Sequence, residues 1–404
     1  MTRTTTPVRS LAPSPSRITD FISLGVIARA FPLSRIQKVL AETHKSSVRQ
    51  RQLPAHVVVY YVLALTLFFD ASSKEVLRIL LEGLKSLFPN QLIKATGKSG
   101  ISQARTRLGS EPLKRLHEAL VTPIATPHTR GAHFHHWNIV SIDGSSLSLE
   151  DTDENAAVFH RPAASRGESA FPKLRFVSLV ENGTHVLFGT EFDSFSTSEQ
   201  VLAERVFHHL RPGMFCLADR NFYGFKLWKL AANTQADPLW RVKKNLSLPV
   251  EAVLSDGSYL STVYSNNSQR RKKKGGLVVR VIEYRLDGVP DAEPLYRLIT
   301  TVLNPKLASA VELAALYHER WEIETVLDEL KPHLKGAGIL LRSKTPELVR
   351  QEFYALLMTH FAIRGLMHEA ALKDDLDPDQ LSYLHAIRVI RRTLPRFVAT
   401  PPKA

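Results

Sequence analysis

The 404-residue chain has a single cysteine, Cys216. One thiol excludes an intrachain disulfide framework and a cysteine-built zinc site, and it makes a reducing, cytoplasmic setting the default. Long apolar runs are scarce as well. The longest, residues 57–69, is shorter than the roughly 18 residues that a membrane span requires, so it predicts a buried core helix and no membrane partner. Residues 1–16 mix Thr, Arg, Pro and Ser without the apolar stretch of a signal peptide, which suits a disordered leader over 1–17. Acidic residues are in deficit: 39 Asp and Glu against 53 Lys and Arg leave a formal charge of +14. Such an excess points to a polyanion or an anionic surface as partner. What is plentiful is apolar side chain, 44% of residues, enough for the cores of two or three domains.

Helix-spaced apolar positions recur over 36–42, 55–69, 74–87 and 111–120, with Pro, Gly or Ser between them. They predict a helical N-terminal domain over 18–130 whose basic residues, among them Arg49, Arg51, Lys94, Lys98, Arg105 and Arg107, are candidates to face DNA phosphates. At Trp137 the texture changes to strands. Residues 137–149 run apolar into Asp143, while 174–180 and 185–192 flank Asn182-Gly183, a strong hairpin signal. Residues 198–210 then read as a helix, and 214–218 as a short strand that delivers Asp219. The order is three strands, a helix and a fourth strand. Residues 239–303 are again strand-rich and contain the run Arg270, Arg271, Lys272, Lys273, Lys274, followed by Gly275-Gly276. That run is either a solvated hairpin tip or a DNA-contacting loop. Helices follow over 308–331 and 345–367, with a C-terminal helical segment and tail over 373–404.

Chemistry concentrates in the first of these last helices. Tyr317, Arg320, Glu324 and Lys331 follow one another at steps of 3, 4 and 7, and at about 100° per residue they fall within about 60° on one helical face. Leu316, Ile323, Leu327 and Leu330 form an adjacent apolar stripe that seats this helix on a sheet. Pro332 disfavours helical geometry at Lys331, which places the lysine at the helix end. Two strand-borne aspartates give the stripe its meaning, because a strand that is otherwise apolar does not end on an ionised carboxylate without a partner or a metal. With Glu324 as third carboxylate, Asp143 and Asp219 make an all-oxygen donor set suited to two Mg²⁺ (or Mn²⁺) ions, as phosphodiester cleavage requires. Arg320 and Lys331 would grip flanking phosphates, and Tyr317 would bond a phosphate or stack on a base. Glu150, Asp151, Asp153 and Asp193 rank lower, since they occupy polar, turn-like contexts.

Asp143-Gly144, the segment Ala218-Asp219-Arg220-Asn221-Phe222-Tyr223-Gly224 and the Tyr317, Arg320, Glu324, Lys331 spacing resemble the DDE transposases of bacterial insertion-sequence family four, marked by a Y-(2)-R-(3)-E-(6)-K signature. The resemblance extends over most of the chain: 76 residues separate Asp143 from Asp219, and 105 separate Asp219 from Glu324, room for an inserted β-domain. It implies an α/β fold with a ribonuclease H-like catalytic core over 131–238 and 304–372, a β-rich insertion over 239–303 and the helical N-terminal domain. It also implies metal-bound Asp143, Asp219 and Glu324, DNA contacts from Tyr317, Arg320 and Lys331, and a homodimer holding paired double-stranded transposon ends. The activity implied is cleavage and transfer of strands at terminal inverted repeats. Similar proteins often continue into a longer basic tail than Pro401-Pro402-Lys403-Ala404 provides. Trp240 reads as a core residue or as the base-wedging tryptophan of some relatives.

A tyrosine recombinase, suggested by His385 and Arg388, fails because no tyrosine follows Tyr383 to act as nucleophile. A transposase-derived DNA-binding protein without catalysis is the stronger rival, opposed by the survival of all three carboxylates. A stand-alone nuclease is disfavoured by the helical domain and the insertion.

Overall fold

The computed structural model describes residues 22–47, 53–87, 97–164, 167–286 and 293–393. The expected leader, the tail from Pro395, and Arg49, Arg51 and Lys94 lie outside them. Along the described chain the helices are α1 (Ile22–Ala30), α2 (Leu33–Glu42), α3 (Ala55–Leu67), α4 (Ser73–Leu87), α5 (Lys98–Leu108), α6 (Glu111–Leu120), α7 (Asp153–Phe159), α8 (Glu199–Val206), α9 (Phe225–Asn233), α10 (Asn267–Arg271), α11 (Ala310–His318), α12 (Glu322–Asp328), α13 (Pro346–Asp374) and α14 (Tyr383–Thr393). The strands are β1 (His133–Phe134), β2 (Trp137–Ser148), β3 (Ala163–Ala164), β4 (Gly167–Glu168), β5 (Lys173–Glu181), β6 (Val186–Ser194), β7 (Met214–Ala218), β8 (Asp237–Arg241), β9 (Ala252–Val253), β10 (Tyr259–Val263), β11 (Leu277–Tyr284) and β12 (Tyr296–Thr300). The protein is thus mixed α/β, and among the described residues only helices precede the first strand.

Pro32 and Pro54 cap α2 and α3 at φ of −62° and −63°, positions where a missing N–H breaks no helical bond. α3 is the long apolar run, and it is buried from Val57 to Leu67 because α13 and the other N-terminal helices enclose it. Its Thr66 hydroxyl meets that of Thr359 on α13 at 2.8 Å. One continuous apolar cluster runs from Ile27 and the α3 valines through the sheet to Phe353 and Ile390. The N-terminal helices therefore share their core with the rest of the protein. Arg105, a candidate for phosphate contact, is buried between α5 and α13, bonded to Gln351 Oε1 at 3.1 Å and Ser343 Oγ at 3.0 Å. Lys98 and Arg107 remain exposed.

The main sheet has the order β6-β5-β2-β7-β8-β12-β11-β10-β9, with β1 paired on β2. β2, β5 and β6 are antiparallel, whereas β7 and β8 run parallel to β2. The β5–β6 turn falls at Asn182-Gly183 as its sequence predicts. Gly183 has a φ of +76°, and a Cβ there would lie 2.6 Å from the Ala132 nitrogen. The strands of the β-rich stretch expected over 239–303 continue this one sheet, β12 pairing directly on β8. Period-two alternation assigns the faces. Val140, Ile142, Cys216, Ala218 and Trp240 join the large cluster, while Ile139, Phe215, Leu217 and Leu239 pack with Leu313, Leu316 and Tyr317 of α11 on the opposite face.

The helix expected over 308–331 is jointed. α11 yields to a 3₁₀ turn at Glu319–Trp321, then to α12, then to a π-helical stretch at Glu329–Gly336. α11 contributes to the smaller cluster, and Ile323, Val326, Leu327 and Leu330 to the larger one. Lys331 is accordingly not at the helix end: Pro332 is accommodated inside the π-helical stretch, whose wider turn relieves the clash of a proline ring with the preceding carbonyls.

Candidate active site

The parallel pairing of β2 with β7 ends at Ile142 and Ala218, so Asp143 and Asp219 are the next residues on adjacent strands. Strands lie about 4.8 Å apart, and residues in register share a face, which sets the two carboxyls side by side. That face is the one on which α11 lies. Asp143 is 26% exposed in its side chain, and its Oδ1 accepts the Gly144 N–H at 2.7 Å. Asp219 is half-buried and accepts the Arg220 N–H at 2.5 Å.

Glu324 stands on α12 with its side chain 52% exposed. Between it and the strands lies the buried Arg320, with Nη1 3.9 Å from Asp143 Oδ2 and Nη2 3.9 Å from Glu324 Oε1. One guanidinium therefore spans the carboxylate of a strand and that of a helix. Its own position is set by Tyr317 and Trp321, whose rings lie 6.0 Å and 5.1 Å from it. Burial pushes the Asp143 carboxyl up to about 6; Glu199 and Asp219 add to this, while the Gly144 N–H and Arg320 oppose it. A single arginine held near 4 Å does not offset that much gathered acid.

The remaining signature residues frame this centre. Lys331 Nζ donates to Ser145 Oγ at 2.8 Å, two residues beyond Asp143 on β2. Tyr317 is buried, and its hydroxyl donates to the Ala218 carbonyl at 3.3 Å, bracing the peptide that leads into Asp219. A ring so enclosed offers no face to a base. Arg270 is half-buried, bonded to the Ser247 carbonyl at 2.8 Å, while Arg271 and Lys272 to Lys274 are exposed at the C-terminal end of α10 and beyond. Arg270 lies near enough to the loop after Asp219 that its charge opposes the burial that pushes Tyr223 up to about 12.

Two of the lower-ranked carboxylates have local partners: Asp151 pairs with Arg161, and Asp193 with Arg205 at 3.0 Å. Trp240 is fully buried, edge-on to Trp228 at 5.3 Å, and so belongs to the core. One acidic neighbour is not apparent from the sequence. Glu199, at the start of α8, packs so closely on Gly144 that a Cβ there would lie 2.7 Å from Glu199 Cδ. Ser198 caps that helix, so the sequence marks Glu199 only as an ordinary first-turn acid.

Three carboxylates of hard oxygen type, one of them raised by burial, are the donor type that divalent cations take, but their oxygens do not converge within 4.8 Å, because Arg320 lies between Glu324 and Asp143. The chemistry agrees with the comparisons. The N-terminal domain model of insertion element 4 transposases matches residues 21–118, and the transposase DDE domain model matches residues 138–362. The transposase InsG of insertion sequence element IS4 from Escherichia coli K12 is 29% identical over 91% of this chain and 82% of its own length. The putative transposase InsZ of the same organism is 26% identical over 50% of this chain and 65% of its own. A cryo-EM structure of a piggyBac transposase synaptic complex with hairpin DNA is a more distant likeness, at 10% identity and a TM-score of 0.47 over 96% of this chain and 84% of that one. With both domain models matched in order, and the DDE model covering more than half of the sequence, this chain belongs to the DDE transposases of insertion-sequence family four.

Proposed function

We propose that Asp143, Asp219 and Glu324 are the metal-binding catalytic triad of this transposase, on a ribonuclease H-like core, and that two Mg²⁺ or Mn²⁺ ions are its cofactors. The observation that carries the reading is the end of the β2–β7 pairing at Ile142 and Ala218, with Arg320 reaching Asp143 and Glu324 from the facing helix. The core assignment is supported by the order of three antiparallel strands, a helix and two parallel strands in β2, β5, β6, α8, β7 and β8. When bound, the metal ions supply charge stabilisation to the attacking and leaving oxygens of a phosphodiester. The chain's own residues do the rest. Asp143 and Asp219, on a sheet packed on both faces, hold a fixed separation. Arg320 keeps Glu324 oriented towards the strands and Lys331 ties the helix to Ser145. Tyr317 acts as a brace for the strand end that presents Asp219.

The DNA partners in this reading are the double-stranded ends of a mobile element, bound by a homodimer, with Arg271 and Lys272 to Lys274 as phosphate contacts near the Asp219 loop. The test is strand nicking by the purified chain on DNA carrying the inverted repeats that flank its gene. Nicking that requires Mg²⁺ and disappears in Asp219→Asn supports the triad. Nicking that persists in Asp219→Asn overturns it.

A further inference from the structure

Glu322 and Glu324 are two residues apart, about 200° around one helix, so they face opposite ways. Glu324 faces Arg320, which also reaches Asp143. Glu322 turns under the β5–β6 hairpin, where its Oε2 accepts the Gly183 N–H at 2.7 Å. There it meets His185, whose side chain is only 3% exposed, and Asp379 of the 3₁₀ turn Pro378–Gln380. His185 Nε2 lies 2.8 Å from Asp379 Oδ1 and 3.6 Å from Glu322 Oε2, and one ligand atom from each residue falls within 4.8 Å of the others. Despite these distances the buried Nε2 has no hydrogen bond of acceptable geometry among the described residues.

We propose that His185, Glu322 and Asp379 bind one divalent transition-metal ion, Zn²⁺ in the first place, which fastens the β5–β6 turn and the C-terminal 3₁₀ turn to the helix that carries Glu324. Zn²⁺ takes nitrogen and oxygen ligands at about 2.0–2.1 Å in a tetrahedron, whose edge is then about 3.3 Å. The observed 2.8 Å and 3.6 Å bracket that edge. An imidazole between two carboxylates also suits Zn²⁺, Co²⁺ or Mn²⁺ better than Mg²⁺.

The opposite side of the ring is shared by a carboxylate and by the Arg364 guanidinium, which also lies against Nδ1. His185 Nδ1 lies 3.1 Å from Glu329 Oε1, which also receives the Arg364 guanidinium. Metal binding requires Arg364 to donate to Glu329 alone and Glu329 to accept the Nδ1 proton, so that the Nε2 lone pair faces the two carboxylates, the arrangement in which a second carboxylate orients a metal-bound histidine. His185 further adopts a left-handed φ of +60°, which places its ring under the turn. The three ligands come from a hairpin turn, a helix and a distant turn, so one ion would join elements that only folding brings together. The site stands apart from the triad, and either assignment holds if the other fails.

The experiment uses the full-length triple variant Asp143→Asn, Asp219→Asn, Glu324→Gln, which removes the catalytic donors but leaves this cluster. After chelation and equilibration with Zn²⁺, elemental analysis is expected to find one tightly held ion per chain, and Zn²⁺ is expected to raise the melting temperature. Co²⁺ in its place is expected to give the visible absorption of a low-coordinate nitrogen and oxygen site. Adding Asp379→Asn, in a partly exposed turn that tolerates the change, should weaken Zn²⁺ binding at least about 100-fold. His185→Gln disturbs a buried network, so Asp379→Asn is the deciding variant. A triple variant that holds no Zn²⁺, or an Asp379→Asn chain that holds it as tightly, overturns the proposal and leaves His185 an imidazolium clamped between carboxylates.

Discussion

Two carboxylate clusters sit on one jointed helix, and they are built on opposite electrostatic plans. Towards its N-terminal half, Asp143 and Glu324 share one arginine at 3.9 Å, with Asp219 on the strand beside Asp143, and burial leaves Asp143 raised to about 6. One to two turns on, Glu329 is closed in by Arg364, His360 and His185. Although burial presses its carboxyl upward, the Arg364 charge and the histidine hydrogen bonds hold it well below the carboxylate range. Around Glu329 the carboxylate is already matched, by the Arg364 guanidinium and two imidazoles fixed by packing. The first cluster is short of positive charge, which suits the proposed uptake of cations and phosphates from solution. Burial alone does not distinguish a working carboxylate from a structural one. The balance of partners does.

The comparison is tested most severely by function. Asp143→Asn, Asp219→Asn or Glu324→Gln is expected to lower Mg²⁺-dependent cleavage by about 10³-fold or more, while the melting temperature stays level or rises. Nicking assays and calorimetry on the same preparations decide this, and a variant that loses cleavage by unfolding would erase the contrast. Next in size is Glu329→Ala. Removing the anion from a buried ion pair leaves Arg364 uncompensated, at a cost of about 3–5 kcal/mol, read from urea unfolding. A cost under about 1 kcal/mol would mean that Arg364 finds other partners.

The pH dependences should run in opposite directions. The folded Glu329 carboxyl is lowered from its ordinary 4.5, so its contribution is present above that value and fades as pH falls below it. The folded Asp143 carboxyl is raised from 3.8 to about 6, so the fold favours its protonated form, and that contribution is lost as pH rises through about 6. In metal-free protein, Asp143→Asn should therefore be more stable than the parent above pH 6, with the gap closing towards pH 4. Glu329→Gln should be less stable at neutral pH, with its gap shrinking below pH 4.5. Parallel curves for the two variants would show that the clusters do not differ in the way described. The smallest effect is expected outside both clusters. Neutralising Arg271 and Lys272 to Lys274 should reduce the salt dependence of DNA binding by about one unit of slope for each phosphate no longer neutralised. An unchanged slope would make the run a solvated helix end.

Much of this is legible in the chain because local rules decide it. Met214–Ala218 is a strand by its apolar run alone, and Asn182-Gly183 announces its turn. Glu111–Leu120 appears with the bounds that its periodicity suggests. The spacing of Tyr317, Arg320, Glu324 and Lys331 points to a site without reference to any fold. Less legible are short elements whose stability comes from neighbours, such as α7, α9 and β8, and the joint at Glu319–Trp321. The 3₁₀ turn there meets the Asn182 side chain, which bonds the Glu319 carbonyl at 2.8 Å across 137 residues, a contact that no local window contains.

The sequence by itself determined which residues could do chemistry: two aspartates ending apolar strands, a glutamate at fixed spacing from arginine and lysine, and a net positive chain. Periodicity and desolvation cost are properties of short segments, and they can be read in one dimension. Only the tertiary structure decided how those residues are used. It turned Tyr317 and Arg320 inward as brace and bridge, buried Arg105 and Trp240, continued the main sheet through the β-rich stretch over 239–303, and set His185, Glu322 and Asp379 around a common point. Those outcomes depend on which surfaces meet across long stretches of chain, and a meeting of that kind leaves no periodic trace.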